Sequence, residues 1–365
     1  MEDPRFLTEQ IITYIGNKRA LLRFIATALD DVKRELGADK LDTADLFSGS
    51  GIVSRFLKQH SRVMYVNDLE DYCETLNRCY LTNIGDININ ELTHYHEDIT
   101  RTLDEGGLCR GFISEMYSPK DDNDIKIGER VFFTARNAMY IDTARKLMDK
   151  VPEEYRPYLL APLLYEASVH NNTGGVFKGF YKNSETGIGQ FGGNGRNALS
   201  RITADIRLPF PVFGRYSCEV NVYKEDANEL ARKLGGLDLV YLDPPYNQHP
   251  YGSNYFMLNL INNYEKPREI SRISGIPKGW NKSAYNRRHD AKECMYDLCR
   301  TVDAKYLLIS FNSEGFIPKK EMTELLEDIG QVRVYDTKYN TFRASRNLAA
   351  RDIHVREYLY LVRKR

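Results

Sequence analysis

Asp243-Pro244-Pro245-Tyr246 sets a carboxylate, a stiff carbonyl and an aromatic ring within four residues, with Asn247 and Gln248 behind them. The run ahead of it, Leu237-Asp238-Leu239-Val240-Tyr241-Leu242, reads as a buried strand, so the tetrapeptide falls where a parallel strand ends and a loop begins. Open α/β sheets carry their chemistry at that place. Consecutive prolines fix φ and donate no backbone hydrogen bond, so the loop holds its carbonyls in set directions. Two acceptors and a ring to stack on suit a flat base that carries an amino group. Pro-Pro turns with a capping Asp also occur without any such role, so the neighbouring motifs decide the reading.

The first of these neighbours is Asp45-Leu46-Phe47-Ser48-Gly49-Ser50-Gly51, which follows a strand and precedes a helix. Two glycines allow a tight turn and let a ligand lie against the backbone at a helix amino terminus. The dinucleotide fingerprint is incomplete, because position 54, where its third glycine belongs, is Ser. A phosphate-cradling loop is excluded as well, since no Gly-Lys-Ser/Thr follows. The next strand ends in Asn67-Asp68, an acidic end suited to a ribose diol, and a later one in Glu225-Asp226, able to accept from an adenine amino group. An adenosine without a pyrophosphate fits this set and points to S-adenosylmethionine as cofactor.

The elements that must position these groups follow from periodicity. A helix is expected over about Lys18 to Glu35, a strand over Thr43–Phe47, a helix from Ile52 to about Gln59, a strand over Arg62–Asn67 and a helix over roughly Asp71 to Asn83. This β-α-β-α order starts a parallel sheet. It breaks from about Ile84 to Tyr216, a stretch with helical segments near Ala135–Lys150 and Tyr155–Val169 and then a glycine-rich polar part. Alternation resumes with Ser217–Tyr223, Ala227–Leu234 and Leu237–Leu242, and runs on through Lys305–Phe311, a helix near Lys320–Ile329, and strands near Gln331–Asp336 and Arg356–Val362. The last two strands lie close enough in sequence to pair antiparallel. The fold class expected is α/β, a doubly wound, mostly parallel sheet of about seven strands, interrupted by an inserted, largely helical domain. Residues 1–84 and 215–365 form the sheet domain and 85–214 the insert.

Bulk properties set the bounds. The 365 residues suffice for two domains or one with a long insertion; 42% are hydrophobic and 28% charged, with no apolar run long enough to span a membrane. The start, Met1-Glu2-Asp3-Pro4-Arg5, lacks the basic and apolar parts of a secretory signal, so a cytoplasmic location is expected. The six cysteines form no CxxC pair; reduced thiols and no metal site are expected. Formal net charge is zero, yet Gln331 to Arg365 holds nine Lys/Arg against three Asp/Glu. A second basic stretch carries Arg268, Arg272, Lys278, Lys282, Arg287 and Arg288 with Trp280 and Tyr285 interleaved. Both stretches read either as solvated faces or as phosphate contacts for a polyanion.

The order of motifs, Tyr14-Ile15-Gly16-Asn17-Lys18, then Asp45 to Gly51, Asn67-Asp68, Asp226 and Asp243 to Tyr246, resembles the Dam-type (alpha-group) adenine-specific DNA methyltransferases over nearly the whole chain. In that family the insertion between the second and third cofactor strands is the target-recognition domain, and the break here falls in the same place. Gly175–Asn183 and Leu208–Tyr216 are weakly similar to family segments, whereas the stretch around Gly192-Gly193-Asn194-Gly195-Arg196 departs from them. The resemblance implies that Tyr14 stacks on or near the cofactor adenine and that Lys18 sits in the cofactor loop. It implies that Phe47, Ser48, Gly49, Ser50 and Gly51 cradle the methionine part, that Asp68 binds the ribose hydroxyls and Asp226 the adenine amino group, and that Asp45 also belongs to the cofactor site. Asp243, Pro244, Pro245 and Tyr246 become the catalytic set. The Asp243 carboxylate and Pro244 carbonyl accept the two amino hydrogens of a flipped-out adenine, Tyr246 stacks on it, and the freed lone pair takes the methyl group in line. Asn254 and Tyr255 are placed on the following helix, lining the pocket or packing behind it.

Double-stranded DNA is the expected partner, with a cognate restriction endonuclease as a functional one. Lys178, Lys182 and Arg196 in the insert, and Arg343 and Arg346 between the last two strands, are the expected DNA contacts. Ser310–Gly315 ends a strand at the same edge. The rivals are an RNA adenine methyltransferase, a DNA-binding relative without activity, and a nicotinamide oxidoreductase, the last disfavoured by the missing third glycine.

Overall fold

The computed structural model describes residues 2–193, 198–340 and 354–365. Its first half runs α1 (Leu22–Leu36), β1 (Leu41–Asp45), α2 (Ile52–Lys58), β2 (Ser61–Asn67) and α3 (Asp71–Tyr80), followed by α4 (Ile89–Asp104), α5 (Phe112–Tyr117), α6 (Ala135–Met148), α7 (Arg156–Val169) and α8 (Leu199–Thr203). The second half runs β3 (Glu219–Tyr223), α9 (Ala227–Ala231), β4 (Leu237–Leu242), α10 (Tyr251–Asn254), α11 (Phe256–Asn263) and α12 (Ala291–Thr301). It closes with β5 (Ala304–Asn312), α13 (Lys319–Glu327), β6 (Gly330–Asn340) and β7 (His354–Lys364).

Among the described residues the strands form one seven-stranded sheet in the order β3-β2-β1-β4-β5-β7-β6. β1 pairs parallel with β2 and with β4, β2 with β3, and β4 with β5; β7 runs antiparallel between β5 and β6. The α/β class, the seven strands and the antiparallel final pair are therefore as the periodicity predicts. The chain passes from β1 to opposite sides of the sheet, so the strand order reverses between β1 and β4, and a crevice opens above their carboxyl ends.

β4 is central and every one of its six residues is buried. Leu239 and Tyr241 pack with Ile25, Leu29 and Phe56 of α1 and α2, whereas Val240 and Leu242 pack with Leu230, Met295 and Met322 of α9, α12 and α13. That period-two division of a continuous apolar run is what a sheet covered on both faces requires. The stretch between α3 and β3 packs into a further core, distinct from the two that cover β4. Tyr140, Leu159 and Leu163 of α6 and α7 share one hydrophobic cluster with Tyr72 and Leu76 of α3 and Phe256 and Leu260 of α11.

Several boundaries move. The strand expected to reach Phe47 stops at Asp45, because Ser48 N turns to donate to Asn67 O (3.0 Å) and draws the chain into the glycine turn. The helix expected to reach Asn83 ends at Tyr80. α4, α5, α8 and α12 are additional to the sequence reading. Only Leu92, Ile99 and Leu103 are buried on α4, an apolar stripe too narrow to stand out from its polar background.

Candidate functional site

The carboxyl ends of the parallel strands bring Asp45, Asn67-Asp68, Glu225-Asp226 and Asp243 to one edge, where they line a single cleft of about 880 Å³ including its open mouth. Local sequence builds its first wall. Gly51 N donates to Ser48 O (2.8 Å), Asn77 Nδ2 to Ser48 Oγ (2.7 Å) and Gly49 N to Asp68 Oδ2 (2.8 Å). Gly49 and Gly51 have φ of +51° and +74°, and a Cβ on Gly49 would lie 2.9 Å from Tyr14 Cε1. Left-handed backbone and the close ring both demand glycine there.

Asp45 is fully buried. Its Oδ2 accepts from Ser54 Oγ (2.6 Å), but its Oδ1 has no partner among the described residues. Burial, against the Ser54 hydrogen bond, pushes its carboxyl up to about 7. Asp68 also accepts from Glu70 N at Oδ1 (3.1 Å), and burial raises it despite the Gly49 hydrogen bond. Glu70, absent from the sequence-predicted set, lines the same cleft, with Oε2 accepting from Asn259 Nδ2 (2.5 Å); burial pushes it up to about 7. Asp226 caps α9, its Oδ1 accepting from Asn228 N (2.9 Å) and Glu229 N (3.2 Å), while it also lines the cleft.

The Tyr14 ring is part of an aromatic cluster, stacked on Tyr251 (4.9 Å between centroids) and Tyr255 (4.7 Å). Of the residues expected on the helix after Tyr246, Tyr255 packs behind the cleft, its hydroxyl accepting from Ile15 N (2.6 Å), and Asn254 is buried with its carbonyl accepting from Phe177 N (2.7 Å). Arg55 anchors the amino-terminal segment ahead of Tyr14: its guanidinium donates to Phe6 O, Glu9 O and Gln10 O at 2.7 to 3.0 Å and lies 3.7 Å over the Tyr80 ring.

The second wall of the cleft corrects one sequence reading. Asn281, Ser283, Tyr285 and Asn286, from the stretch read as basic with interleaved aromatics, line the cofactor-sized cleft. Tyr285 is buried, edge-on to Phe47 at 5.1 Å, with its hydroxyl donating to Asn228 Oδ1 (2.8 Å). It cannot be an exposed ring for nucleic acid. Lys278 and Arg287 pair with Glu269 (2.7 Å) and Asp290 (2.5 Å), while Lys282 lies over Trp280.

Asp243 follows the last residue of β4, at the floor. Its Oδ1 accepts from Lys18 Nζ at 3.0 Å, and the same ammonium donates to Glu357 Oε1 at 3.1 Å. Lys18 lines the cleft as its predicted loop position requires, but its ammonium is committed to these two carboxylates. Burial pushes the Asp243 carboxyl up to about 6, with Lys18 pulling the other way. Burial also opposes the charge on Lys18, yet Asp243 and Glu357 together hold it well above the ordinary lysine range. Glu357 is missed by motif reading. One signal was available: it falls two residues before Leu359 and four before Leu361, on the face of β7 that carries apolar side chains into the core. A carboxylate at an inward strand position needs a partner.

Beyond Lys18 lies a second cavity, lined by Ile12, Thr13, Tyr246, Asn312 and Glu357 and sharing residues 14–18 with the first. Tyr246 stands edge-on to Phe311 (6.3 Å), and Phe316 N donates to its carbonyl (2.9 Å), so β5 fixes the loop. The arrangement places Asp243 in the cleft walled by the glycine turn and strand-end carboxylates, and Tyr246 of the same loop in the second cavity.

Of the expected DNA contacts, Lys178 is exposed and close enough to His249, on the loop after Tyr246, to lower it alongside burial. Lys182 lies with its ammonium 4.9 Å over the Phe180 ring. Asn183 caps a turn through Glu185 N (2.9 Å) and Thr186 N (3.0 Å), and Gln190 donates to Gly192 O (3.2 Å), so both serve their own loop. Arg196, Arg343 and Arg346 lie outside the described residues. Among the described residues no helix is long and apolar enough to cross a membrane.

The sequence pattern of the D12 class N6 adenine-specific DNA methyltransferases matches residues 14–325, a span from Tyr14 through both walls of the cleft and the Asp243 loop. The type II methyltransferase M.NlaIII of Neisseria lactamica is 30% identical, over 97% of this chain and 99% of its own length. The type II methyltransferase M.CviAII of Paramecium bursaria Chlorella virus 1 is also 30% identical, over 96% of this chain and 98% of its own. M.FokI of Planomicrobium okeanokoites is 27% identical over 96% of this chain, which spans 52% of that longer protein.

Proposed function

The chain belongs to the D12 class N6 adenine-specific DNA methyltransferase family, and on that premise we propose that S-adenosylmethionine is its methyl donor, held in the glycine-turn cleft, with Asp243 and Tyr246 handling the adenine. The observation that carries this reading is Asp243 itself, a half-buried carboxylate at the strand-order reversal that lines the glycine-turn cleft, while Tyr246 of the same loop lines the second cavity.

The cleft fits the donor on three counts. Asp45 Oδ1, buried and without a partner among the described residues, is an acceptor for the methionine ammonium. Gly49 and Gly51 leave backbone bare where side chains would intrude. Asp68 and Glu70 present carboxylates for ribose hydroxyls, and Asp226 stands at the far strand end for the adenine amino group. When bound, S-adenosylmethionine supplies a methyl group on a positively charged sulfur, already electrophilic enough to react without a covalent enzyme intermediate.

What the protein must do is prepare the other partner. The exocyclic nitrogen of adenine is a weak nucleophile because its lone pair is delocalised into the ring. Asp243 and the Pro244 carbonyl accept its two hydrogens, which draws the nitrogen toward tetrahedral geometry and frees the lone pair. Tyr246 stacks on the base once it leaves the duplex. The carboxylate then lies beside the positive charge that develops on nitrogen, the situation in which fixed electrostatics contribute most. Residues 85–214 are the proposed target-recognition part and Lys178 a proposed backbone contact. A cognate endonuclease is the proposed functional partner.

The test is methyl transfer from labelled S-adenosylmethionine to duplex DNA, to RNA and to no acceptor, with nucleoside analysis of the product. Label in N6-methyladenine from DNA is expected. Label only in RNA, or a protein that fails to bind the donor, overturns the reading.

A further inference from the structure

Lys18 is almost wholly buried and touches two carboxylates, only one of which belongs to the Asp-Pro-Pro-Tyr loop. The other, Glu357, is 2% exposed on β7, a strand that carries no motif and lies 114 positions beyond Asp243. Its Oε1 accepts from Lys18 Nζ (3.1 Å) and from Ser310 Oγ (2.8 Å). β7 pairs antiparallel with β5, where Glu357 stands opposite Asn312, so the carboxylate is carried by sheet backbone rather than by a loop. It also lines the second cavity beside Tyr246 and Asn312.

A lone lysine beside Asp243 would make a one-to-one ion pair, neutral overall and free to cover either oxygen. Two carboxylates sharing one ammonium give a different object. The ammonium is drawn to Oδ1 by a second anion on its far side, and the cluster keeps one negative charge. Among the described residues Asp243 Oδ2 has no protein donor, which leaves it for a ligand.

We infer that Glu357 is a positioning residue for methyl transfer, holding Lys18 on one oxygen of Asp243 so that the other oxygen and one net negative charge remain for the exocyclic amine. This rests on the assignment of Asp243 as the acceptor of the adenine amino hydrogens. As methyl transfer places positive charge on that nitrogen, the cluster charge opposes it directly. The burial of Lys18 and Glu357 makes the arrangement costly to leave incomplete, since an unpaired charge in the interior is strongly disfavoured.

The pH profile gives the signature. The groups facing Asp243 are Lys18 from the segment before α1, Glu357 from β7, Asp45 from β1, Tyr241 from β4, Tyr246 from its following loop and Tyr251 from α10. Glu357 raises Asp243 and Lys18 lowers it. Glu357→Gln keeps the shape and the acceptor for Lys18 and Ser310 but removes the charge. The acid limb of turnover should therefore move to lower pH, while Lys18→Met moves it to higher pH; a merely structural loss moves neither.

The experiment measures kcat, KM for duplex DNA, donor affinity by calorimetry and the melting temperature for wild type, Glu357→Gln and Glu357→Ala from pH 5 to 9. Wild-type formation of N6-methyladenine establishes the parent reading; its failure removes that reading, whatever the variants do. Given an active wild type, the expected result for Glu357→Gln is kcat reduced about tenfold or more, donor affinity within about twofold of wild type, and an acid limb shifted downward. Glu357→Ala should lose more than Glu357→Gln. An unshifted or upward-shifted limb, turnover within about twofold of wild type, or a loss of donor affinity as large as the loss of kcat overturns the inference. If Glu357→Ala does not fold, Glu357→Gln alone decides, because it preserves volume and hydrogen-bonding atoms.

Discussion

The glycine-turn wall of the cleft and its Asp243 floor are held by contacts of opposite range. In the wall, Ser48, Gly49, Gly51, Asp68 and Asn77 bond one another within a span of thirty residues, and the turn closes on its own backbone. On the floor, Lys18, Asp243, Ser310 and Glu357 come from four separate segments, each delivered by a different element. The wall is backbone and neutral side chains hydrogen-bonded to carboxylates; the floor is a cluster of paired charges. On the proposed function, binding falls to a local motif and chemistry to a tertiary one. The two should be separable by mutation.

The sharpest break is Asp243→Ala. Methyl transfer should fall by at least about a hundredfold, in the range found when one charge-stabilising acceptor is removed, while donor binding by calorimetry stays measurable. Transfer above about a hundredth of the wild-type rate would take the chemistry away from the floor.

Lys18→Met comes next and acts on the floor without touching the wall's hydrogen bonds. It leaves the buried Glu357 and the half-buried Asp243 without their cation; removing one partner of a fully buried pair typically costs roughly 3–5 kcal/mol, so melting should fall by up to the equivalent of that. Asp243, raised to about 6 by burial with Lys18 holding it down, should titrate higher, so activity is lost as pH falls from a higher starting point. A pH profile identical to wild type would show that Lys18 does not set the charge on Asp243.

Asp68→Ala probes the wall. Removing a carboxylate that holds Gly49 N and faces the cleft should weaken donor binding by roughly 1.5–3 kcal/mol, about 10- to 150-fold in Kd. Single-turnover transfer at saturating donor should be changed far less. Equal losses in both would mean that the wall and the floor are not independent.

A smaller effect is expected from Asp45, which burial pushes up to about 7. A carboxyl raised on folding favours the folded state when protonated, a contribution present below the ordinary carboxylate range and lost as pH rises through about 7. A donor ammonium favours the ionised form instead. Donor affinity should therefore climb by up to about tenfold per unit of pH toward 7 and level off above it, and Asp45→Asn should flatten that slope. The smallest effect belongs outside the cleft. Lys178→Ala should weaken binding to all duplexes alike and reduce the salt slope by about one, with donor affinity unchanged.

The sequence by itself determined most of the sheet and the wall. Leu237–Leu242 had to be a central strand because a continuous apolar run tolerates no wet face, and Gly49 and Gly51 marked their turn because few other residues adopt its backbone. Asp45, Asp68 and Asp226 were legible for the same reason: strand ends and helix starts are read from neighbours in the chain. Only the tertiary structure decided where Lys18 sends its ammonium, that Glu357 faces it from the last strand, and that Tyr285 closes the cleft instead of facing a polyanion. Those outcomes depend on which strands become neighbours. Burial then turns a surface-type charge into one that must find a partner hundreds of residues away, and no local spacing records that choice.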